Sequence, residues 1–373
     1  MEVKNIINGI ASMGLGAMLA LSADAALSYK PLQGFSYGPF RDGQNPNLGI
    51  YPSELQMSND LTIIKNIAPK IRTYGDENTL YQIPKLCNNA GIDCYPGAWL
   101  STDTNANETQ INSLISIASS NFPTTKGLIV GNEVLLRGDM PKSSLINYIN
   151  RVKTKTGKKV STADSWYYFS DVNNSDLVNA VDFIVIHSHP YWEGISIGGA
   201  AQQVVIEYNL VAQKNPSKEI IVGETGWPSA GPSYGSAVPG IENQKKFLSD
   251  FDALSRQNNI NYFFFEPFDE KWKGEGGVGA YWGIFNSDRT KKSSLTNLLQ
   301  QSFKINSINR KTNNMQLNVN TFDGNPYSIY SSTNLTSWQF MTNFSGAVLT
   351  NRTSITLSNQ NSSKKFFRAT QNF

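Results

Sequence analysis

Two segments of the chain set a carboxylate at the end of an apolar run. In "IIVGETGWPSAG" (220–231), Glu224 follows Ile220, Ile221 and Val222, with Gly223 and Gly226 close by and Trp227 just beyond. In "GLIVGNEV" (127–134), Glu133 follows Asn132 in the same way. Such an acid is either a solvated surface group, since Glu is seldom buried without a partner, or a group held rigidly for a reaction. Two acids facing each other across a cleft are the minimal equipment for splitting a glycosidic bond. One, protonated, gives its proton to the leaving oxygen; the other, ionised, attacks the anomeric carbon or directs water at it. A separation of about 5–5.5 Å permits a covalent intermediate and retention, whereas ~6.5–9.5 Å leaves room for water and gives inversion. Sugar rings also need apolar platforms and polar partners. Trp166, Trp192, Trp272 and Trp282 are candidates for the first, unless they belong to the core, and Asn132 and Arg72 for the second.

Elements must bring these residues together. Eight apolar or β-branched runs read as strands: "GFSYGPF" (34–40), "KIRTYG" (70–75), "DCYPGAWL" (93–100), "GLIVGNEV" (127–134), "KVSTADSW" (159–166), "VDFIVIHSHP" (181–190), "EIIVGETGWP" (219–228) and "NYFFFEPFDE" (261–270). Helical patterns lie between them, among them "SNDLTIIKNIAPK", "ETQINSLISIASSNF", "SSLINYINRVKTKTG", "AAQQVVIEYNLVAQKN" and "ENQKKFLSDFDALSRQNN". Eight βα units in roughly 250 residues is the period of an α/β (β/α)8 TIM barrel. The competing reading, a doubly wound open sheet, calls for a glycine-rich phosphate turn after the first strand, and "SYGPFRDG" is no such turn. In a barrel, reactive groups ring the C-terminal ends of the strands. On this assignment one mouth collects Tyr37, Arg72, Tyr74, Trp99, Glu133, Asp164, Trp166, His189, Tyr191, Trp192, Glu224, Glu266, Asp269 and Glu270.

"GETGWPSAG", "VGNEV", "IRTYG", "HSHPYW" and "FFFEPFDEKWKGEGGVGAYWGIFNSDRTKK", taken in order, resemble glycoside hydrolase family 17. This family comprises the β-1,3-glucanases and related glucanosyltransferases, and the resemblance is closer to the fungal and bacterial branch. It covers most of residues 34–299. The resemblance implies a retaining mechanism, with Glu224 as nucleophile and Glu133 as acid/base. It implies Asn132 as the holder of the substrate 2-hydroxyl, Tyr37 as a neighbour of the nucleophile, and Glu270 with Lys273 as a supporting pair. A further Glu of the family pattern is replaced here by Gly279, with Glu275 as its possible substitute. His189 reads as scaffold or sugar contact, Trp227 as sugar platform or packing, and Tyr191 joins them as a candidate contact. Arg72, with Tyr37 and Lys273, is expected to keep Glu224 ionised, while Glu133 is expected to carry a raised pKa. The expected function is a secreted β-1,3-glucanase acting on β-glucan; the alternatives are a glucanosyltransferase and a non-catalytic glycan-binding protein.

The remaining features frame that reading. A net charge of +3 argues against nucleic acid as a partner. From Phe303 onward, however, seven Lys/Arg face the single acid Asp323; this basic tail either lies against an anionic surface or only keeps its module soluble. Lys4, the apolar stretch Ile10 to Leu21 and Ala23-Asp24-Ala25 read as a secretory leader over 1–25, cleaved before Ala26, with no membrane insertion afterwards. The expected domains are a catalytic barrel over 26–302 and a small β-sandwich-like module over 303–373, either a glycan or wall binder or a spacer, in which Trp338 is core or platform. Cys87 and Cys94 either pair or remain free thiols. No CxxC motif or histidine cluster suggests a metal, and no cofactor is called for. A monomer is expected.

Overall fold

In the computed structural model the apolar runs become parallel strands of one ring. The structure describes residues 32–292 and, in the tail, 305–311, 314–320, 326–334, 336–345, 352–357 and 366–371. These belong to two compact units, one within Lys30–Leu299 and the other within Gln300–Phe373. The leader read over 1–25 and the domain boundary at 302/303 lie outside the described residues.

The ring comprises β1 (Phe35–Ser36), β2 (Lys70–Arg72), β3 (Asp93–Tyr95), β4 (Gly97–Ala98), β5 (Leu128–Asn132), β6 (Val160–Ser165), β7 (Ile184–His187), β8 (Ile220–Thr225) and β9 (Asn261–Phe264). Their order is β3-β2-β1-β9-β8-β7-β6-β5-β4. β3 and β4 are the two halves of the predicted run "DCYPGAWL", interrupted at Pro96, which has no N–H for the ladder. β3 pairs with β2 and β4 with β5, so the chain itself closes the ring. The result is the expected eight-stranded (β/α)8 barrel.

Strand alternation divides the core into two layers. Ile129, Ala163, Phe183, Val185, Ile221 and Phe263 fill the interior with Tyr95. Leu128, Val130, Ile184, Ile186, Ile220 and Val222 face outward into the larger core under the helices. Those helices are α1 (Glu54–Lys65), α2 (Ile83–Ala90), α3 (Thr104–Ser119), α4 (Val134–Arg137), α5 (Lys142–Thr156), α6 (Trp166–Ser170), α7 (Ser175–Ala180), α8 (Ile197–Lys214) and α9 (Ile241–Gln257). The apolar pattern places the starts of α1 and α3 a turn too late, because their first turns are polar and set by caps. Ser53 and Gln56 form a reciprocal capping box before α1. Asp103 Oδ1 accepts from the Asn105 and Ala106 amides at 2.9 and 3.1 Å before α3. Cys87 on α2 and Cys94 on β3 are buried free thiols.

The tail is all-β. β10 (Ile305–Lys311), β11 (Asn314–Asn320), β12 (Pro326–Ser332), β13 (Gln339–Ser345), β14 (Arg352–Leu357) and β15 (Phe366–Gln371) form two three-stranded sheets, β10-β11-β14 and β13-β12-β15. Every pairing is antiparallel. Met315, Leu317, Ile355 and Leu357 of the first sheet are buried, as are Ile329, Phe366 and Phe367 of the second. Trp338 is half-buried. Among the described residues no helix is long and apolar enough to cross a membrane.

Candidate active site

Strand alternation alone would turn Glu224 away from the barrel interior, because Ile221 points in and Val222 out. An extra residue corrects this. The β7–β8 register runs Ile186↔Val222 and then His187↔Glu224, so Gly223 forms a bulge that returns Glu224 to the inner face. Glycine is needed there for close approach rather than for a turn: a Cβ would collide with Val185 and lie 3.1 Å from Arg72 Nη1 and 3.3 Å from His187 Cδ2. β5 repeats the device. Its register against β6 skips a residue between Ile129 and Asn132, and Gly131 has φ +81°. Glu133 follows with φ 51°, in the left-handed region that costs a non-glycine residue energy. Its amide donates to Ala163 O at 2.7 Å, which holds that conformation.

The two acids thereby converge. One oxygen of Glu133, one of Glu224 and a ring nitrogen of His187 all lie within 4.8 Å of one another. Glu224 is 93% buried by side chain and lies against Arg72 Nη1 at 3.2 Å, His189 Nε2 at 3.4 Å and His187 Nε2 at 3.4 Å. Burial alone would push its carboxyl up, but the imidazole and guanidinium groups of His187, His189 and Arg72 hold it well below the usual carboxylate range. The Glu133 side chain is 26% exposed and meets His187 Nδ1 at 2.8 Å. Burial raises this carboxyl and the Glu224 charge raises it further, yet the His187 hydrogen bond carries the balance below the ordinary value. The raised pKa expected for Glu133 is therefore not found.

Arg72 organises this centre. Fully buried, it also donates to Asn132 Oδ1 and to Gly223 O, and its Nη1 lies 2.7 Å from His187 Nε2. A divalent cation among Glu133, His187 and Glu224 would compete with this fixed positive charge, so the three groups are not assigned as a metal centre. Beside them, Lys273 Nζ bridges Glu266 and Glu270 at 2.6 Å each. Burial pushes Glu266 well above the usual range, with Glu270 adding to the rise and Lys273 opposing it. Glu270 Oε1 in turn accepts from the Phe40 amide at 2.9 Å.

The structure corrects the roles expected for Tyr37, Tyr191 and Lys273, and decides between the two readings of Trp227. Tyr37 does not reach Glu224, because its hydroxyl donates to buried Asp60 at 3.1 Å. Tyr191 is 1% exposed and donates to Pro232 O at 2.8 Å, which directs its hydroxyl into protein. Trp227 is fully buried, stacked on Phe247, with Nε1 donating to Val238 O at 3.0 Å; it packs beneath the loop and is no sugar platform. Lys273, occupied by its two carboxylates, likewise makes no contact with Glu224. Trp166, Trp192, Trp272 and Trp282 all line a cleft of about 980 Å³ above the acids, together with Trp99 and Tyr74. Glu275 lines it too, and its carboxylate fills the space a side chain at Gly279 would need. His187 is absent from the expected mouth, and Glu266 is placed there without an assigned role. Period-two alternation along β7 puts Val185 and His187 on one face, a signal that could have found the first.

Residues 34–283 match the family described as BtgE/BtgC glycoside hydrolase domain. The crystal structure of the glycoside hydrolase family 17 β-1,3-glucanosyltransferase from Rhizomucor miehei is 35% identical, with a TM-score of 0.62, covering 71% of this chain and 96% of that one. The chain belongs to glycoside hydrolase family 17. Within the family it is 28% identical over 280 residues to the glucan 1,3-beta-glucosidase of Saccharomyces cerevisiae, covering 69% of this chain and 90% of the relative. It is 29% identical over 302 residues to the Aspergillus fumigatus protein named probable glucan endo-1,3-beta-glucosidase btgC. That match takes in 72% of this chain and 43% of the relative, so this family 17 chain spans less than half the length of its Aspergillus counterpart.

Proposed function

We propose that this glycoside hydrolase cleaves β-1,3-glucan by double displacement, with Glu224 as nucleophile and Glu133 as acid/base. The observation that carries the reading is the approach of their carboxylate oxygens to within 4.8 Å. An approach of that order suits the ~5–5.5 Å separation of carboxyl groups that attack directly and supports the retaining reading. The names of the yeast and Aspergillus relatives support the substrate class.

The electrostatics suit the division of labour. Arg72 and His189, both in contact with its carboxylate, hold Glu224 ionised for attack. Burial is the largest influence on Glu133, so a sugar that expels water from the cleft pushes its carboxyl up towards the protonated form. As Glu224 bonds to the anomeric carbon, Glu133 passes its proton to the departing glycosidic oxygen. The Glu224 charge that raised Glu133 is then gone, and Glu133 becomes the base for the second displacement. Asn132, held by Arg72, faces the same cleft as the partner for a substrate 2-hydroxyl. The apolar leader supports export of the enzyme, which acts as a monomer.

A second reading has its own support, since the Rhizomucor relative is a glucanosyltransferase. Glu133 would then activate a sugar hydroxyl instead of water. Incubation with laminarin followed by product sizing separates the readings. Short oligosaccharides alone mean hydrolysis, products longer than the donor mean transfer, and unchanged glycan reduces the protein to a binder. In Glu224→Gln, turnover is expected to vanish while laminarin affinity stays within a small factor; normal turnover removes Glu224 from its role.

A further inference from the structure

The chain has two histidines, and both lie in the cleft. Of the two, His187 touches both acids. Its tautomer follows from its neighbours. A guanidinium can only donate, and Arg72 Nη1 stands 2.7 Å from Nε2. Nε2 is therefore an acceptor, and the ring proton sits on Nδ1. Nδ1 in turn stands 2.8 Å from Glu133 Oε1 and donates to it.

We infer that His187 is the positioning residue of the acid/base: Arg72 locks it in the Nδ1–H form, which reserves Glu133 Oε1 as an acceptor and leaves Oε2 to move the proton. The inference rests on the reading of Glu133 as acid/base. In the first step the proton leaves Oε2 for the glycosidic oxygen as the C–O bond breaks and the Glu224–carbon bond forms. In the second, Oε2 takes a proton from water or a sugar hydroxyl as that ester breaks. His187 neither gains nor loses a proton in either step. Its N–H keeps the carboxyl plane fixed through both and steadies the ionised form between them. The charged and titratable groups facing this pair are Arg72 from β2, Asp164 from β6, His189 beyond β7 and Glu224 from β8. Arg72 is the one whose contact decides the tautomer.

With two imidazoles in the chain, histidine-selective ¹⁵N labelling reads the tautomer directly. At neutral pH the signals that disappear in His187→Asn are expected to show a protonated Nδ1 and an unprotonated Nε2. The Nε2–H tautomer, or an imidazolium, overturns the inference. Kinetics give a second test that a merely structural role would not satisfy. His187→Ala is expected to lose ~10²-fold or more on a laminari-oligosaccharide, yet less than ~10-fold on an aryl β-glucoside whose leaving group needs no proton. Loss of the donor raises Glu133, so the basic limb of kcat/KM moves about one pH unit to the alkaline side. His187→Asn, which keeps an N–H donor, recovers part of both effects. Equal losses on both substrates with an unmoved limb reduce His187 to scaffold and overturn the inference. Should Glu133→Ala itself retain full activity on the oligosaccharide, the reading of Glu133 fails instead.

Discussion

Glu133 and Glu224 carry the same side chain, and their neighbours make them different. Glu224 has Arg72 and two imidazoles around one buried carboxylate; Glu133 has one imidazole and partial access to the cleft. The tryptophans divide in the same manner. Trp227 lies in the core with its N–H satisfied by Val238. Trp166 lines the cleft and donates through Nε1 to Glu193 at 3.1 Å. Residue type does not distinguish them; position above or below the β8 loop does. Trp227→Ala should therefore cost about 3–5 kcal/mol of stability and leave KM of the surviving folded enzyme near wild type. Trp166→Ala should do the reverse, raising KM for laminari-oligosaccharides with little change in melting temperature. Thermal melts and initial-rate kinetics on both variants check this, and a matching pattern in the two would contradict the placement.

At the scale of elements, the convergence of Glu133 and Glu224 depends on two bulges. The ring itself was legible from the eight apolar runs and their helical spacers, and five of the long helices from apolar periodicity. Capped first turns escaped notice, since Ser53 and Asp103 begin helices with polar residues. The convergence of Glu133 and Glu224 was legible from motifs at strand ends. The part played by Gly223 and Gly131 was not: a glycine in a strand signals a bulge or a close approach equally well, and only the register reveals that both apply. The hydroxyl directions of Tyr37 and Tyr191 were illegible for a similar reason, because their partners Asp60 and Pro232 belong to segments distant in sequence. Gly223→Ala tests the role of the β8 bulge. The added methyl meets Val185 and crowds Arg72 and His187, so activity should fall by at least ~10²-fold, well beyond any loss of fold seen by circular dichroism. Near-normal activity would show that the bulge does not set the position of Glu224.

Across the whole molecule, the barrel tolerates buried acids besides Glu133 and Glu224. Burial, aided by Glu77, pushes Asp76 up to about 8, and burial with Glu193 pushes Glu207 up to about 8. In the unfolded chain such groups ionise near ~4. Between those values the folded state binds more protons than the unfolded one, so the contribution of these groups to stability is complete below about pH 4 and falls as pH rises towards 8. Asp76→Asn should therefore flatten the decline in melting temperature between pH 5 and pH 8 relative to wild type. A steeper decline in the variant would reverse the sign of the argument. All of these effects serve a barrel whose two carboxylates approach within 4.8 Å of each other, and which is proposed to carry out two displacements at one sugar carbon. The most direct test of that claim is ¹H NMR of the first sugars released from a β-1,3-linked oligosaccharide, recorded before mutarotation. The β-anomer should appear first, since two displacements restore the configuration; initial release of the α-anomer would contradict the account.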